Sequence, residues 1–318
     1  MTRPIKLTAP QQERFNRVVK QLLRWYKKNE RPFVWRSLRR TPYEVLVSEV
    51  MLQQTQASTL EKRLPPFLKQ FPTVAALAKA STTEVLRAWQ GLGYNRRALN
   101  LHKTAKAIKA RGRKGFPSTM SELLALPGIG DYTASAILTF SFGDEIPVVD
   151  VNIERVLSRV WKRMPATDAK LPIKEIATFD AMILPRGHSS MWHQALMDLG
   201  ATICAKRKPL CQECPISSQC RSAKGFMKLA LEQRPTVFLG STEKLFWGEP
   251  RRLWRGRVLK LVAKSNGIAL EALSIASQEF LKTDESVGFD AFIKSIISDL
   301  CREGFVRELR PTIYALAE

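Results

Sequence analysis

Apolar residues recur at helical spacing along most of the chain. Phe15, Val18, Val19, Leu22, Leu23 and Tyr26 form one stripe and predict an amphipathic helix over 13–26. A stronger apolar run predicts a helix over 43–55, with Val45, Leu46, Val50, Met51 and Leu52 as its core positions. Ser81-Thr-Thr-Glu84 reads as a capping box opening a helix. Ile153, Val156, Leu157 and Val160 mark a further helix, the stretch 161–185 reads as helical with breaks at its prolines, and 192–200 is helical again. Toward the C-terminus, 253–262, 270–281 and 289–301 read as helices, and 304–316 as two short strands about a turn. The expected class is mainly α, with a small α/β C-terminal domain of winged-helix type.

Two Gly-x-Gly turns punctuate this pattern, at 91–93 and 128–130. The second lies in Leu126-Pro-Gly128-Ile-Gly130-Asp-Tyr132, between two helical runs. Pro127 ends the first run, and the glycines permit positive φ and close backbone approach. Such a turn offers free N–H groups at a helix start, a ready phosphate site. The first turn carries Tyr94, Arg96 and Arg97. Tyr94 is either a wedge between bases or an interior residue.

Charge turns the pattern toward a partner. The 318 residues carry 51 Lys and Arg against 29 acids, a net charge of +22. Residues 225–318 hold 14 basic and 12 acidic residues, so the excess lies in 1–224. Nucleic acid is the expected partner rather than an anionic membrane, since no apolar run reaches membrane-spanning length. The N-terminal stretch lacks the apolar core of a secretion signal, and four of the five cysteines lie within 17 residues, so a reducing, cytoplasmic location is expected.

Two carboxylates stand out. Glu49 lies one helical turn from Val45 and Leu46, and either shares their apolar face or rides at its edge. Burial there would raise its pKa, as a general acid requires. Asp150 precedes the helix marked by Ile153, in N-cap position. Cys204-x6-Cys211-x2-Cys214-x5-Cys220 is the most specific local signal, fitting a [4Fe–4S] cluster or a zinc ion. Lys206-Arg207-Lys208 sits inside its first loop and points to phosphate contact. Arg36 pairs with a carboxylate or a phosphate, or is simply exposed. Beyond Ala223 the periodicity weakens, which predicts a linker over 223–245 and a second domain over 246–318. Residues 250–270 there hold six Lys or Arg and no acid. Trp254 among them is expected to be a core anchor, and the charges to lie along phosphates.

Trp35-Arg36, Ser48-Glu49-Val-Met-Leu-Gln53-Gln54-Thr55-Gln56, Gly91-Leu-Gly93-Tyr94, Leu126-Pro-Gly-Ile-Gly130, Asp150-x-Asn152, Gln194-Ala-Leu-Met-Asp-Leu-Gly200 and the cysteine spacing occur in this order. With them, residues 1–222 resemble the helix-hairpin-helix DNA glycosylases with an iron–sulfur loop at 204–220, and among these the MutY adenine DNA glycosylases. The resemblance implies that Glu49 protonates the leaving adenine and that Asp150 stabilises the sugar cation. It implies that Tyr132 and Asn152 orient this pair, that Gln54 and Tyr94 wedge into the duplex, and that Gln194 touches the extruded base. It also implies a [4Fe–4S] cluster on the four cysteines and phosphate contacts at Gly128 and Gly130.

The related endonuclease III enzymes carry a lysine where this chain has Tyr132, so base release without strand cleavage is implied. The expected function is a monomeric, monofunctional glycosylase of base excision repair. It would act on duplex DNA carrying adenine opposite 8-oxoguanine or guanine and would associate with the nucleoid. The alternatives are thymine or uracil opposite guanine as substrate, or a non-catalytic iron–sulfur DNA-binding protein. Two departures bear on opposite-base recognition. Residues 225–318 do not look like the Nudix-like domain usual in MutY enzymes, and Asn95 stands where a second tyrosine is common.

Overall fold

A computed structural model describes residues 7–36, 40–164, 170–231, 244–265, 267–281 and 288–317. In chain order the helices are α1 (Ala9–Asn29), α2 (Pro42–Leu52), α3 (Ala57–Gln70), α4 (Val74–Lys79), α5 (Thr82–Ala88), α6 (Arg96–Ala110), α7 (Met120–Leu124), α8 (Asp131–Ile137), α9 (Val151–Trp161), α10 (Ile173–Ile183), α11 (Ser189–Thr202) and α12 (Ala223–Leu231). Strands β1 (Leu245–Phe246) and β2 (Glu249–Pro250) lead into α13 (Arg251–Lys264). Then come β3 (Ile268–Ala269), α14 (Leu270–Gln278), α15 (Phe289–Arg302), β4 (Val306–Arg310) and β5 (Ile313–Leu316). No helix among the described residues is long and apolar enough to cross a membrane.

The chain divides into two compact units. The first comprises Met1–Glu49, Pro117–Ala125 and Ile129–Phe238. Its core is built where the amphipathic stripes meet: Phe15, Val18 and Leu22 of α1, Ile153, Val156, Leu157 and Val160 of α9, and Trp192, Leu196 and Leu199 of α11 are all buried. The apolar area removed from water at these positions, at roughly 25 cal/mol per Å², is what holds α1, α9 and α11 together. The α2 run Val45–Met51 is buried at every position, so this helix has no solvent face. Glu49 is therefore interior, which decides between the apolar face and its edge.

The second unit comprises Val50–Phe116, Leu126–Gly128 and Leu239–Glu318. Leu60, Leu64, Phe67, Val85, Leu101 and Ile108 are among its buried helical positions, and Trp89, just past α5, is buried with them. The expected capping box is present on α5: Ser81 N donates to Glu84 Oε2 at 2.7 Å, and Glu84 N donates to Ser81 Oγ at 3.2 Å. In the C-terminal part, β3, β5 and β4 form an antiparallel sheet in that order, with Ile268 opposite Tyr314 and Val306 opposite Leu316. Three helices closed by a hairpin, as the pattern predicts, are joined by one short strand ahead of α14.

Several expectations change. Residues 162–164 and 170–172 are not helical, and 165–169 lie outside the described residues. Pro172 stands just before α10 and biases the residue ahead of it out of helical conformation. Ala223–Leu231 is helix rather than linker, because Ala223 and Phe226, one turn apart, are both buried. The remainder of the expected linker falls largely on 232–243, outside the described residues. Trp254 is fully buried, and its Nε1 donates to Phe246 O at 2.7 Å. The basic helix does not hold its charges apart from acids. Arg251 pairs with Asp299 at 2.7 Å, Arg255 with Glu303 at 2.8 Å and Arg257 with Glu249 at 2.6 Å.

Candidate functional site

The first unit brings Glu49, Tyr132, Asp150 and Asn152 together. Glu49 comes from the interior of α2 and is 4% exposed. Tyr132, near the start of α8, donates its hydroxyl to Glu49 Oε2 at 2.8 Å. Burial pushes the Glu49 carboxyl up from the ordinary range; the Tyr132 bond and the Arg40 charge oppose this, and the Asp150 charge adds to it. Burial also pushes the Tyr132 phenol well up, so it stays a proton donor.

Asp150 caps α9. Its Oδ1 accepts from the backbone N–H groups of Asn152 at 3.0 Å and Ile153 at 2.7 Å, and its Oδ2 accepts from Asn152 Nδ2 at 2.8 Å. Burial pushes this carboxyl up as well, against those three donors. What separates the two acids is the kind of partner. All three groups bonded to Asp150 are N–H donors, which favour its anion. The single hydroxyl on Glu49 opposes the upward push of burial there with one donor.

The support behind Asp150 was not legible from the sequence pattern. Arg155 Nη2 donates to Asn152 Oδ1 at 2.8 Å and Gly200 O at 2.7 Å, and its Nε donates to Cys204 O at 2.8 Å. Ahead of Asp150, Val148 N lies 3.1 Å from His193 Nε2, which is 2.7 Å from Asp180 Oδ2. His193 and Asp180 are both fully buried.

Arg36 resolves to the carboxylate alternative: its Nη1 and Nη2 bond Asp198 at 2.7 and 2.8 Å. Arg31 Nε reaches the same buried carboxylate at 2.6 Å. Gln194 accepts from Tyr26 OH at 2.8 Å and donates to Ser190 Oγ at 3.2 Å.

Cys204, Cys211, Cys214 and Cys220 line one largely apolar cavity with Val156, Leu199 and Phe226. Arg159, buried, points Nη1 at Cys204 Sγ at 3.3 Å and donates from Nη2 to Lys206 O at 3.0 Å. Burial pushes the Cys211 thiol up to about 11 and the Cys214 thiol up to about 12. Among the described residues, no three His, Cys, Asp or Glu side chains are grouped closely enough to hold a metal ion. Four soft sulfur donors around an apolar space with a cation beside them fit a cluster wider than a single ion. Lys206, Arg207 and Lys208 are exposed on the first loop.

In the second unit, Gln54 and Tyr94 both adopt positive φ, at 56° and 46°. Tyr94 is 49% exposed, which excludes the interior reading. Gly128 has φ 76°, and a Cβ there would come within 2.7 Å of Asn100 Cβ. Gly130, in the first unit, is extended at φ −106° and caps α8, so only one glycine of that turn uses its left-handed freedom.

Residues 47–177 match the profile of the HhH-GPD superfamily of base excision DNA repair proteins. The adenine DNA glycosylase of Mycolicibacterium smegmatis is 36% identical over 246 residues, covering 77% of this chain and 80% of that protein. This chain belongs to the HhH-GPD superfamily. The adenine DNA glycosylase of Mycobacterium tuberculosis is 41% identical over 196 residues, 61% of this chain; the match spans 64% of that relative's length, less than two thirds. Among solved structures, a thermostable thymine-DNA glycosylase superposes with a TM-score of 0.61 at 27% identity, covering 67% of this chain and 98% of that one.

Within this HhH-GPD chain, Arg97 is the residue that motif reading passed over. Its Nη1 donates to the carbonyls of Val50 at 2.9 Å and Met51 at 3.0 Å, and also reaches Gln53 O. Its Nη2 donates to Leu92 O at 3.0 Å, Gly93 O at 3.1 Å and Thr55 Oγ1 at 3.2 Å. One guanidinium thus straps the end of α2 to the Gly91–Gly93 turn, fixing the two turns that carry Gln54 and Tyr94. Only the Gly-Leu-Gly-Tyr motif and the run of two arginines after it hinted at this.

Proposed function

We propose that this chain is a monofunctional DNA glycosylase of base excision repair that hydrolyses the N-glycosidic bond of adenine opposite 8-oxoguanine or guanine. The observation that carries the reading is the pair of buried carboxylates, one bonded to a hydroxyl and the other to three N–H donors. Breaking a glycosidic bond needs an acid for the leaving group and an anion for the oxocarbenium-like sugar. Glu49 supplies the proton to the departing base. Asp150, with Asn152 and the α9 N–H groups fixing its oxygens, supplies the negative charge. Tyr132 orients Glu49. Its phenol forms no Schiff base with the sugar, so the product is an abasic site in an intact strand.

A base inside a duplex must leave the stack before it meets these groups. Gln54 and Tyr94, held at positive φ and exposed, are suited to fill the space it vacates. Gln194 is proposed to touch the extruded base, and Arg36 to act indirectly by holding Asp198. Gly128, Gly130 and Lys206-Arg207-Lys208 are proposed to contact backbone phosphates. Cys204, Cys211, Cys214 and Cys220 would hold a [4Fe–4S] cluster. When bound, it would cross-link the loop that presents the three cations. Brown protein with stoichiometric iron and acid-labile sulfide is expected; colourless protein with one zinc per chain rejects the cluster.

The deciding experiment measures base release from duplexes containing A:8-oxoG, A:G, T:G and U:G, with strand integrity read in parallel. Release of adenine without strand cleavage is expected. Release of thymine or uracil instead would assign the thymine-type activity. No release from any duplex would leave a DNA-binding protein.

A further inference from the structure

In the first unit, residues 143–150 belong to no helix or strand. Asp150 ends this stretch, so its place depends on isolated bonds rather than on a ladder. Two residues ahead of it, Val148 is fully buried, and its N–H donates to His193 Nε2 at 3.1 Å. His193 stands on α11 and Asp180 on α10, and neither has a role in the reaction proposed above. Both are fully buried, out of reach of water. A charge in such a place persists only when it is paired.

The hydrogen bonds fix the number of protons. His193 Nδ1 lies 2.8 Å from Ser189 O, which only accepts, so Nδ1 carries hydrogen. Nε2 faces two groups: Val148 N–H, a donor, and Asp180 Oδ2 at 2.7 Å. With a neutral ring and an ionised Asp180, lone pair would meet lone pair at that distance. A second proton therefore lies between Nε2 and Oδ2, as imidazolium with carboxylate or as imidazole with carboxylic acid. Both forms leave the pair neutral overall, which spares the fold an uncompensated buried charge. Asp180 is fixed in turn, since its Oδ1 accepts from Trp192 Nε1 at 2.8 Å. Ser189 O and Asp180 together hold the ring with Nε2 toward Val148.

We propose that His193 and Asp180 are positioning residues for Asp150: the buried pair pins Val148 N–H and so sets where the Asp150 carboxylate meets the sugar. The proposal rests on the glycosylase reading in one respect, that Asp150 supplies negative charge to the sugar. The N–H groups of α9 fix the carboxylate oxygens from one side, and Val148 fixes the chain from the other. Two residues span at most about 7 Å, so a loosened Val148 is felt directly at Asp150. A misplacement of about 1 Å is enough to lower a rate by about 10²-fold.

The test reads the charge at Asp150 by binding, without turnover, in the full chain. Fluorescence anisotropy compares two duplexes. One carries a pyrrolidine abasic analogue whose ring nitrogen is cationic, and the other the neutral tetrahydrofuran analogue. The wild-type chain is expected to favour the cation about tenfold or more, because an anion set at the sugar stabilises positive charge there. Asp150→Asn gives the ratio that remains without that anion. His193→Leu and Asp180→Leu should bring the ratio close to it, while affinity for the neutral duplex stays near wild type. A merely structural loss would weaken both duplexes alike and leave the ratio unmoved. An unchanged ratio in a folded His193→Leu or Asp180→Leu chain overturns the proposal. If neither variant folds, the wild type decides by proton NMR: a low-field, slowly exchanging proton correlated with Nε2 of His193 is expected, and its absence overturns the pair. A wild-type ratio of one removes the glycosylase reading and the proposal together, whereas a wild-type preference that survives both variants removes the proposal alone.

Discussion

Glu49 and Asp150 lie in the same unit, both are buried, and burial raises both carboxyls, yet they are held in opposite ways. Glu49 is buried in the interior of α2 and accepts one hydroxyl, from Tyr132. The start of α9 gives Asp150 three N–H groups and, through Asn152 and Arg155, a chain of fixed donors. Depth of burial does not assign the roles. In the proposed division of roles the donors make the difference, because N–H groups on both Asp150 oxygens favour its anion.

The most direct way to break this comparison is Glu49→Gln. It should slow base release by roughly 10²- to 10⁴-fold, the range for losing a general acid, while DNA affinity stays near wild type. Single-turnover kinetics checks it, and near wild-type release refutes the acid role. Asp150→Asn keeps an acceptor for the α9 N–H groups and removes the charge, so a loss on the order of 10²-fold is expected with the fold intact. A smaller loss than for any neutral neighbour would show that the charge at Asp150 is idle.

A stability measurement sharpens the contrast. Glu49 has a folded pKa above its ordinary value of 4.5. Its contribution to stability is complete below that value and is lost as pH rises through the folded pKa. Gln cannot ionise, so Glu49→Gln should melt progressively higher than wild type as pH rises above about 4.5. A pH-independent difference in melting temperature would mean that Glu49 is not desolvated. Tyr132→Phe is expected to have the smallest effect. Removing a bond that favours the carboxylate raises the Glu49 pKa further, so the alkaline fall in base release should move to higher pH. A shift to lower pH would reverse the assigned direction of that hydrogen bond.

Much of this site can be read from the chain alone. Glu49 stands out because an acid inside an unbroken apolar helix has nowhere to go but the interior. Asp150 stands out because an acid one residue before a helical stripe is an N-cap. The cysteine spacing also declares itself. Other features depend on tertiary neighbours that no local pattern names. The arginines of α13 read as a free basic face because Asp299, Glu303 and Glu249 are distant in sequence or outside the run. Helix α12 is not legible in the sequence because Gly225 blurs the short stripe that Ala223 and Phe226 begin. His193 and Asp180 are separated by a helix boundary, and nothing in either position says that they meet behind Val148.

The Arg97 strap has an evolutionary consequence. Five of its six acceptors are main-chain carbonyls, which every residue type presents alike. Substitutions at 50, 51, 53, 92 and 93 can therefore drift without disturbing the strap, provided the backbone keeps its path. Replacing Arg97 removes the strap at once, and a lysine, with fewer and unforked donors, cannot rebuild it. Pairwise covariation would then show no signal between position 97 and the segments it joins. Saturation mutagenesis would show an intolerant position at 97, while Val50, Met51 and Leu92 would be limited by their burial and Gly93 by its φ of 68°, not by the strap. Two turns can be mechanically coupled through a residue whose partners leave no trace in one another's substitutions.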